Sequence, residues 1–198
     1  MTSILVVCTG NICRSPIAEG FLRAALQRRM GAEAPTVSSA GTAGWDGSAA
    51  MPESVQAARE RGVEIGTHVA RRLEGGHLAE AGLIVTMSTE HRDAIVAWAP
   101  EAADRTFTLK ELVRLLESMA PVGGADLGTR IAAAADRRRD GFTGNPLDDD
   151  VVDPLGMPLD SYRAIAWELE EWTERLAEGL AGPVPAGPVP LPARREGA

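Results

Sequence analysis

Four consecutive branched aliphatic residues, Ile4-Leu5-Val6-Val7, run straight into Cys8-Thr9-Gly10-Asn11-Ile12-Cys13-Arg14-Ser15-Pro16. An apolar run, a loop carrying Gly and Asn, and a Pro at a helix start read as strand, tight loop, helix. Gly and Asn tolerate left-handed backbone conformations, so this loop can curl until successive N–H groups converge on one point as a nest for an oxyanion. The helix predicted from Pro16 to about Met30 adds the positive end of its dipole and its unpaired first-turn amides. Pro16 suits that turn because its missing N–H would have had no partner there. Phosphate is the natural guest of such a loop.

Two side chains give the cradle its chemistry. Cys8 ends the strand, where the nest, the dipole and a nearby cation favour a thiolate. Arg14 closes the loop with a planar guanidinium suited to two phosphate oxygens, and Ser15 can donate its hydroxyl to the sulfur. A thiolate aimed at phosphorus forms a covalent cysteinyl-phosphate, with positioning and stabilisation of the equatorial oxygens supplying most of the catalysis. This chemistry calls for no metal and no cofactor. A nucleotide-binding Walker loop requires G-x-x-x-x-G-K-[ST], and this loop has no Lys. Cys8 and Cys13 alone, four residues apart, do not complete a tetrahedral zinc site. Beside the catalytic reading stands the plain one, two buried cysteines next to a strand.

The chain's 198 residues, 44% of them apolar and 24% charged, suit one domain, or one domain with a tail, and can bury a substantial core. A formal net charge of −8 argues against nucleic acid or an anionic membrane as a partner, since either favours a basic face. The first strand begins within three residues of Met1, and no apolar run reaches membrane-spanning length. A cytoplasmic location follows as the expectation, with Cys8 reduced there.

Further along, Thr36 to Ser39 reads as a second strand ending at Gly41, and Leu83 to Met87 and Arg105 to Thr108 as a third and fourth. Helices are expected over Pro52 to Gly62, Ser88 to Trp98, Lys110 to about Met119, and Leu159 to about Leu180. The alternation predicts an α/β fold: a single doubly wound domain with a four-stranded parallel sheet and helices on both faces. The segment 42–50 reads as a flexible loop. Its lone Trp45 either lies back on the surface or walls a pocket, and the ligand-binding edge of an open α/β sheet favours the wall. A lone His68 most often serves structure, and His77 and His91 carry no readable role. Residues 120–143 form an insertion whose helical part, Asp126 to Arg139, ends in three arginines expected to be a solvated helix end. Asp148 to Asp150 are expected to face solvent, whereas Pro154 stiffens the chain after Asp153. From Gly182 the Pro/Gly-rich sequence is expected to be a disordered tail and a possible adaptor ligand.

The stretch from Cys8 to Ser15 resembles the C-x5-R-S signature of low-molecular-weight protein tyrosine phosphatases. The resemblance continues through Ser38-Ser39-Ala40-Gly41, His68-Val69-Ala70-Arg71, Met87 and Val152-Asp153-Pro154. It implies a phosphatase domain over 1–181, with an insertion longer than the compact members carry. By that resemblance Cys8 is the nucleophile, Thr9 to Ser15 hold the phosphoryl group, and Asp153 is the acid that protonates the leaving oxygen. Trp45 and Leu155 would wall the substrate ring, Ser39 and His68 would brace Asn11, and the partner would be a phosphorylated protein.

Within this resemblance, phosphotyrosine leads and phosphoarginine follows. The part from Asp150 to Gly156 looks like the arginine branch, but that branch has Thr where this chain has Ile12. Leu155 stands where tyrosine phosphatases of the family commonly have an aromatic, so one wall of the ring pocket is non-aromatic. Arsenate reduction would need cysteines beyond Cys8 and Cys13, and the chain has none. A non-catalytic phosphate-binding or redox-sensing module is the reading from another class, with a reversible Cys8–Cys13 disulfide shielding the nucleophile.

Overall fold

The computed structural model describes residues 3–120, 126–142 and 148–185. Strands β1 (Ile4–Cys8), β2 (Val37–Gly41), β3 (Leu83–Thr86) and β4 (Thr106–Thr108) pair in parallel in the order β2-β1-β3-β4. Helices α1 (Arg14–Met30), α2 (Pro52–Arg59), α3 (Gly75–Glu80), α4 (Thr89–Trp98), α5 (Leu109–Glu117), α6 (Leu127–Arg139) and α7 (Leu159–Ala181) surround the sheet. The expected α/β class and four-stranded parallel sheet are present. The Pro/Gly-rich tail falls outside the described residues from 186 onward.

All five residues of β1 are buried, which explains why the strand reads as an unbroken apolar run. Ile4, Val6 and Cys8 enter the larger core, which they share with residues of α1, α5 and α7, including Ile17, Leu22, Leu112 and Leu169. Leu5 and Val7 point to the other face, where Leu78 of α3 and Ile95 of α4 cover them. Helix α7 buries Tyr162, Ile165, Ala166, Leu169 and Leu176 and leaves Trp167 exposed. Trp172 is partly buried, with the Arg175 guanidinium 4.1 Å from its ring. Helix α5 starts in a capping box, in which Glu111 N donates to Thr108 Oγ1 at 3.2 Å and Thr108 N to Glu111 Oε2 at 3.3 Å.

The sheet order reverses around β1, whose neighbours β2 and β3 lead the chain away in opposite directions. Ligands of open α/β sheets bind at the C-terminal edge of such a switch point, where the loop after Cys8 lies. The register pairs Cys8 with Gly41.

Two expectations hold only in part, for one reason: charged side chains fasten the elements that close the sheet. Of the three arginines of α6, Arg137 and Arg139 are exposed, as a solvated helix end would be, while Arg138 is turned onto the sheet. Arg138 donates to Thr106 O at 2.9 Å and Ala103 O at 2.7 Å, and its guanidinium lies 4.3 Å from the Phe107 ring. Because β4 is an edge strand, its outward carbonyl needs a donor from elsewhere, and Arg138 supplies it. Arg139 pairs with Asp104 at 2.6 Å, and Arg137 lies over Phe142.

The acidic run does not simply face solvent either. Asp149 is buried and paired with Arg114, Asp148 lies 3.2 Å from Lys110, and Asp150 Oδ1 accepts from Thr89 N at 2.7 Å. Helix α3 was not foreseen, because six residues opening on Gly75-Gly76 carry too little periodicity to signal a helix.

Replacing Arg138 by Ala should lower the unfolding free energy by about 2 kcal/mol, since two hydrogen bonds and a stacked cation are lost together. The exposed Arg137→Ala change should cost less than about 0.5 kcal/mol. Urea unfolding of the two variants measures the difference.

Candidate active site

The loop after β1 is shaped from outside. Cys8 O accepts from Thr42 N at 2.9 Å, Thr9 O from Ala43 N at 3.0 Å, and Gly10 O from Trp45 N at 3.1 Å. Ile12 O accepts from Met51 N at 2.8 Å, and Asn11 O meets His68 Nε2 at 2.8 Å. Because a carbonyl only accepts, that ring nitrogen carries a hydrogen. In a trans peptide the C=O and the following N–H point in opposite directions. Five carbonyls turned outward therefore turn the amides of Thr9 to Cys13 inward. Asn11 N points at Cys8 Sγ, 3.3 Å away.

The segment 42–50, expected to be a flexible loop, is thus, together with Met51, the strap that holds the cradle open. Its entry depends on Gly41, where a Cβ would come within 2.4 Å of Thr9 O and 3.0 Å of Asn11 N.

Asn11 adopts φ 57°, alone in the left-handed region among the described non-glycine residues. Its side-chain amide donates to Ser15 Oγ at 2.9 Å and Ser39 Oγ at 2.8 Å, and its Oδ1 accepts from Arg71 N at 3.0 Å. Ser39 passes its own hydrogen to Glu19 Oε2 at 2.6 Å. Since Ser15 Oγ accepts from Asn11, its hydrogen is free for Cys8 Sγ, 2.9 Å away.

Arg14 is almost fully buried. Its Nη1 donates to Val151 O at 3.1 Å, and its Nη2 reaches Asp153 Oδ2 at 2.5 Å and Thr9 Oγ1 at 3.3 Å. Its Nε is buried with no partner among the described residues, so Nε has a donor for an anion beside Cys8, and Nη2 joins it where the anion displaces Asp153. The loop bearing Asp153 is anchored at several points. Val151 N donates to Met87 O at 2.8 Å, Lys110 Nζ donates to Asp150 O at 3.1 Å, and Arg114 pairs with Asp149. Lys110, the chain's single lysine, is itself buried and also pairs with Glu168 at 2.7 Å.

Trp45 and Leu155, the expected pocket walls, are both exposed. Trp45 lies against Gly10, where a Cβ would be 3.8 Å from its Cδ1 and 3.3 Å from Ile12 Cγ1. Leu155 N donates to Asp153 Oδ1 at 3.1 Å. Cys13 stands at the N-cap position of α1 within the core, its sulfur 4.0 Å from the Tyr162 hydroxyl, and burial pushes its thiol up to about 11. Both thiols are free. No group of three or more potential metal ligands occurs among the described residues.

Sequence reasoning missed His91, Arg71 and Glu19. His91 Nε2 lies 2.9 Å from Thr9 Oγ1, and its Nδ1 lies 2.7 Å from Ser88 Oγ. Its signal was position: it sits in the first turn of the helix after β3, at the edge where the site lies. Arg71 acts on Asn11 through its backbone N–H, which no residue pattern announces.

A thiol beneath a ring of inward amides, closed by a buried arginine with a carboxylate beside it, equips an α/β protein to hydrolyse phosphoric monoesters. Residues 3–120 match the family model described as low molecular weight phosphotyrosine protein phosphatase. The chain is 36% identical over 177 residues to a protein-arginine-phosphatase of Geobacillus stearothermophilus, covering 89% of this chain and 95% of that one. It resembles the solved structure of the YwlE arginine phosphatase from Geobacillus stearothermophilus, with TM-score 0.68 and 34% identity over 91% of this chain and 93% of that one. It is equally similar to a low molecular weight protein tyrosine phosphatase from T. tengcongensis, with TM-score 0.69 and 32% identity over 91% of this chain and all of that one. The chain belongs to the low molecular weight phosphotyrosine protein phosphatase family. Among the described residues, no helix is long and apolar enough to cross a membrane.

Gly41→Ala should weaken inorganic phosphate binding by at least about 100-fold while the protein stays folded, because backbone must move on both sides of the new methyl group. Calorimetric titration with phosphate measures this. A second outcome concerns His91. Burial first, then the charge of Arg14, holds it below its ordinary 6.5, at about 4. A depressed folded-state value means the unfolded chain takes up the proton first, so stability should decline as pH falls from about 6.5 to about 4. His91→Gln should remove that part of the decline in urea midpoints measured across the range.

Proposed function

We propose that this protein hydrolyses phosphotyrosine in proteins through a cysteinyl-phosphate on Cys8. The observation that carries the reading is the outward turn of five loop carbonyls, which leaves a ring of donors around Cys8 Sγ. The thiolate attacks phosphorus as the bond to the phenolic oxygen breaks, and the Asp153 carboxylic acid gives its proton to that oxygen. The Asp153 carboxylate then takes a proton from water, which attacks phosphorus, breaks the P–S bond and releases inorganic phosphate. Inward amides and the Arg14 Nε–Nη2 edge hold the equatorial oxygens throughout. In competing for Arg14, the phosphoryl group frees Asp153 for proton transfer.

The substrate reading rests on the mouth. Trp45 is exposed beside Gly10, with Ile12 buried beneath the same glycine, and Leu155 adds an exposed aliphatic side chain, so Trp45 and Leu155 offer apolar surface that suits a phenolic ring. Phosphoarginine is the second reading, supported by the relative named protein-arginine-phosphatase, which aligns with most of the chain. The thiol chemistry fits a reducing, cytoplasmic setting.

Phosphotyrosine and phosphoarginine peptides, offered side by side, separate the readings. The wild type should cleave phosphotyrosine, Cys8→Ser should fall to background, and Asp153→Asn should lose about 100-fold in kcat. Ile12→Thr should shift preference toward phosphoarginine. A wild type that prefers phosphoarginine overturns the substrate assignment alone, whereas activity retained by Cys8→Ser overturns the chemistry.

A further inference from the structure

Helix α4 begins at the sheet edge that carries the phosphate loop, and its first turn places His91 between two hydroxyls. Its Nε2 lies 2.9 Å from Thr9 Oγ1, and its Nδ1 lies 2.7 Å from Ser88 Oγ. Thr9 Oγ1 also accepts from Arg14 Nη2 at 3.3 Å. A neutral imidazole has one donor and one acceptor, and a hydroxyl has one hydrogen and two lone pairs, so this row of groups has two proton arrangements. In one, Thr9 gives its hydrogen to Nε2, and Nδ1–H donates to Ser88. In the other, Ser88 donates to Nδ1, and Nε2–H donates to Thr9. Thr9 then accepts from both Arg14 and His91 and keeps its own hydrogen for a third partner. An anion held by Arg14 favours the second arrangement, because it meets a donor where the first presents a lone pair.

Resting on the phosphoryl-transfer reading of Cys8, we propose that His91 is a positioning residue: it holds the Thr9 hydroxyl against Arg14 and turns its hydrogen toward the phosphoryl oxygens. His91 acts through Thr9 and does not touch the reacting atoms. Its buried setting beside Arg14 keeps the ring neutral, the state in which one nitrogen accepts from Ser88 while the other donates. Ser88 serves twice, since it also caps α4 by accepting from His91 N at 3.4 Å, so the helix start and the loop share one hydroxyl.

The test compares wild type, His91→Leu, His91→Gln, Thr9→Val and the Thr9→Val/His91→Leu pair in calorimetric titration with inorganic phosphate and in turnover of p-nitrophenyl phosphate. His91→Leu keeps the volume without the polarity, while His91→Gln returns an amide near the position of Nε2. His91→Leu should lower phosphate affinity and kcat/KM by about tenfold, the size of one hydrogen bond to a charged group. His91→Gln should recover most of both. On the Thr9→Val background, the leucine change should add less than about twofold, because the two residues act as one unit. If Gln is no better than Leu, or the tenfold loss persists without the Thr9 hydroxyl, His91 serves packing and the proposal falls. A wild type that binds phosphate without turning over substrate removes the phosphatase reading. The phosphate affinities of the variants then still decide the role of His91.

Discussion

The site depends on the direction of a few peptide planes. Left to itself, a curled loop presents carbonyls and amides alike to whatever sits in its centre, and a carbonyl lining the cradle would repel an anion. Here each carbonyl from Cys8 to Ile12 is held from outside, four by backbone amides of residues 42–51 and one by His68. Asn11 sets the curvature. Its left-handed backbone is held by bonds to Ser15, Ser39, Arg71 and Cys8, which occupy its side-chain amide and its N–H. Buried and fully partnered, it makes the cradle rigid before any anion arrives, which is the kind of preorganisation that lets oriented dipoles act without reorganising.

The acid side of the site comes from the opposite end of the chain and is placed by charge. Asp153 stands in an exposed loop with little apolar surface of its own to bury, so hydrophobic packing cannot position it. Ion pairs do so instead: from α5, Lys110 with Asp148 and Arg114 with the buried Asp149, and from the start of α1, Arg14 with Asp153 itself. A buried lysine or aspartate is costly unless paired, so Lys110 and Asp149 each hold their partners in place. The same device closes the sheet at its other end, where Arg138 satisfies the edge strand β4.

Much of this was legible in the residues. The apolar run of β1, the Gly-Asn loop and Pro16 announced the strand, cradle and helix, and the alternation downstream announced the parallel sheet. These signals are local: they depend on backbone preference and on burial over a few residues. Asp149 in the acidic run and Arg138 in the arginine cluster of α6 were misread as solvated because charge in sequence looks the same whether its partner is water or a residue tens of positions away. His91 was passed over because a lone histidine has no pattern, and its significance lies only in which hydroxyls it meets.

By itself, the sequence determined that a thiol, a guanidinium and a flexible-backbone loop follow a buried strand, since adjacency in the chain guarantees their adjacency in space. Only the tertiary structure decided which way the loop's carbonyls face, that the Gly-rich segment 42–51 is the strap that turns them, and that Asp153 meets Arg14 across 139 positions. Those outcomes depend on pairings between distant segments, whose hydrogen bonds and charges become specific only when the core has brought their partners within reach.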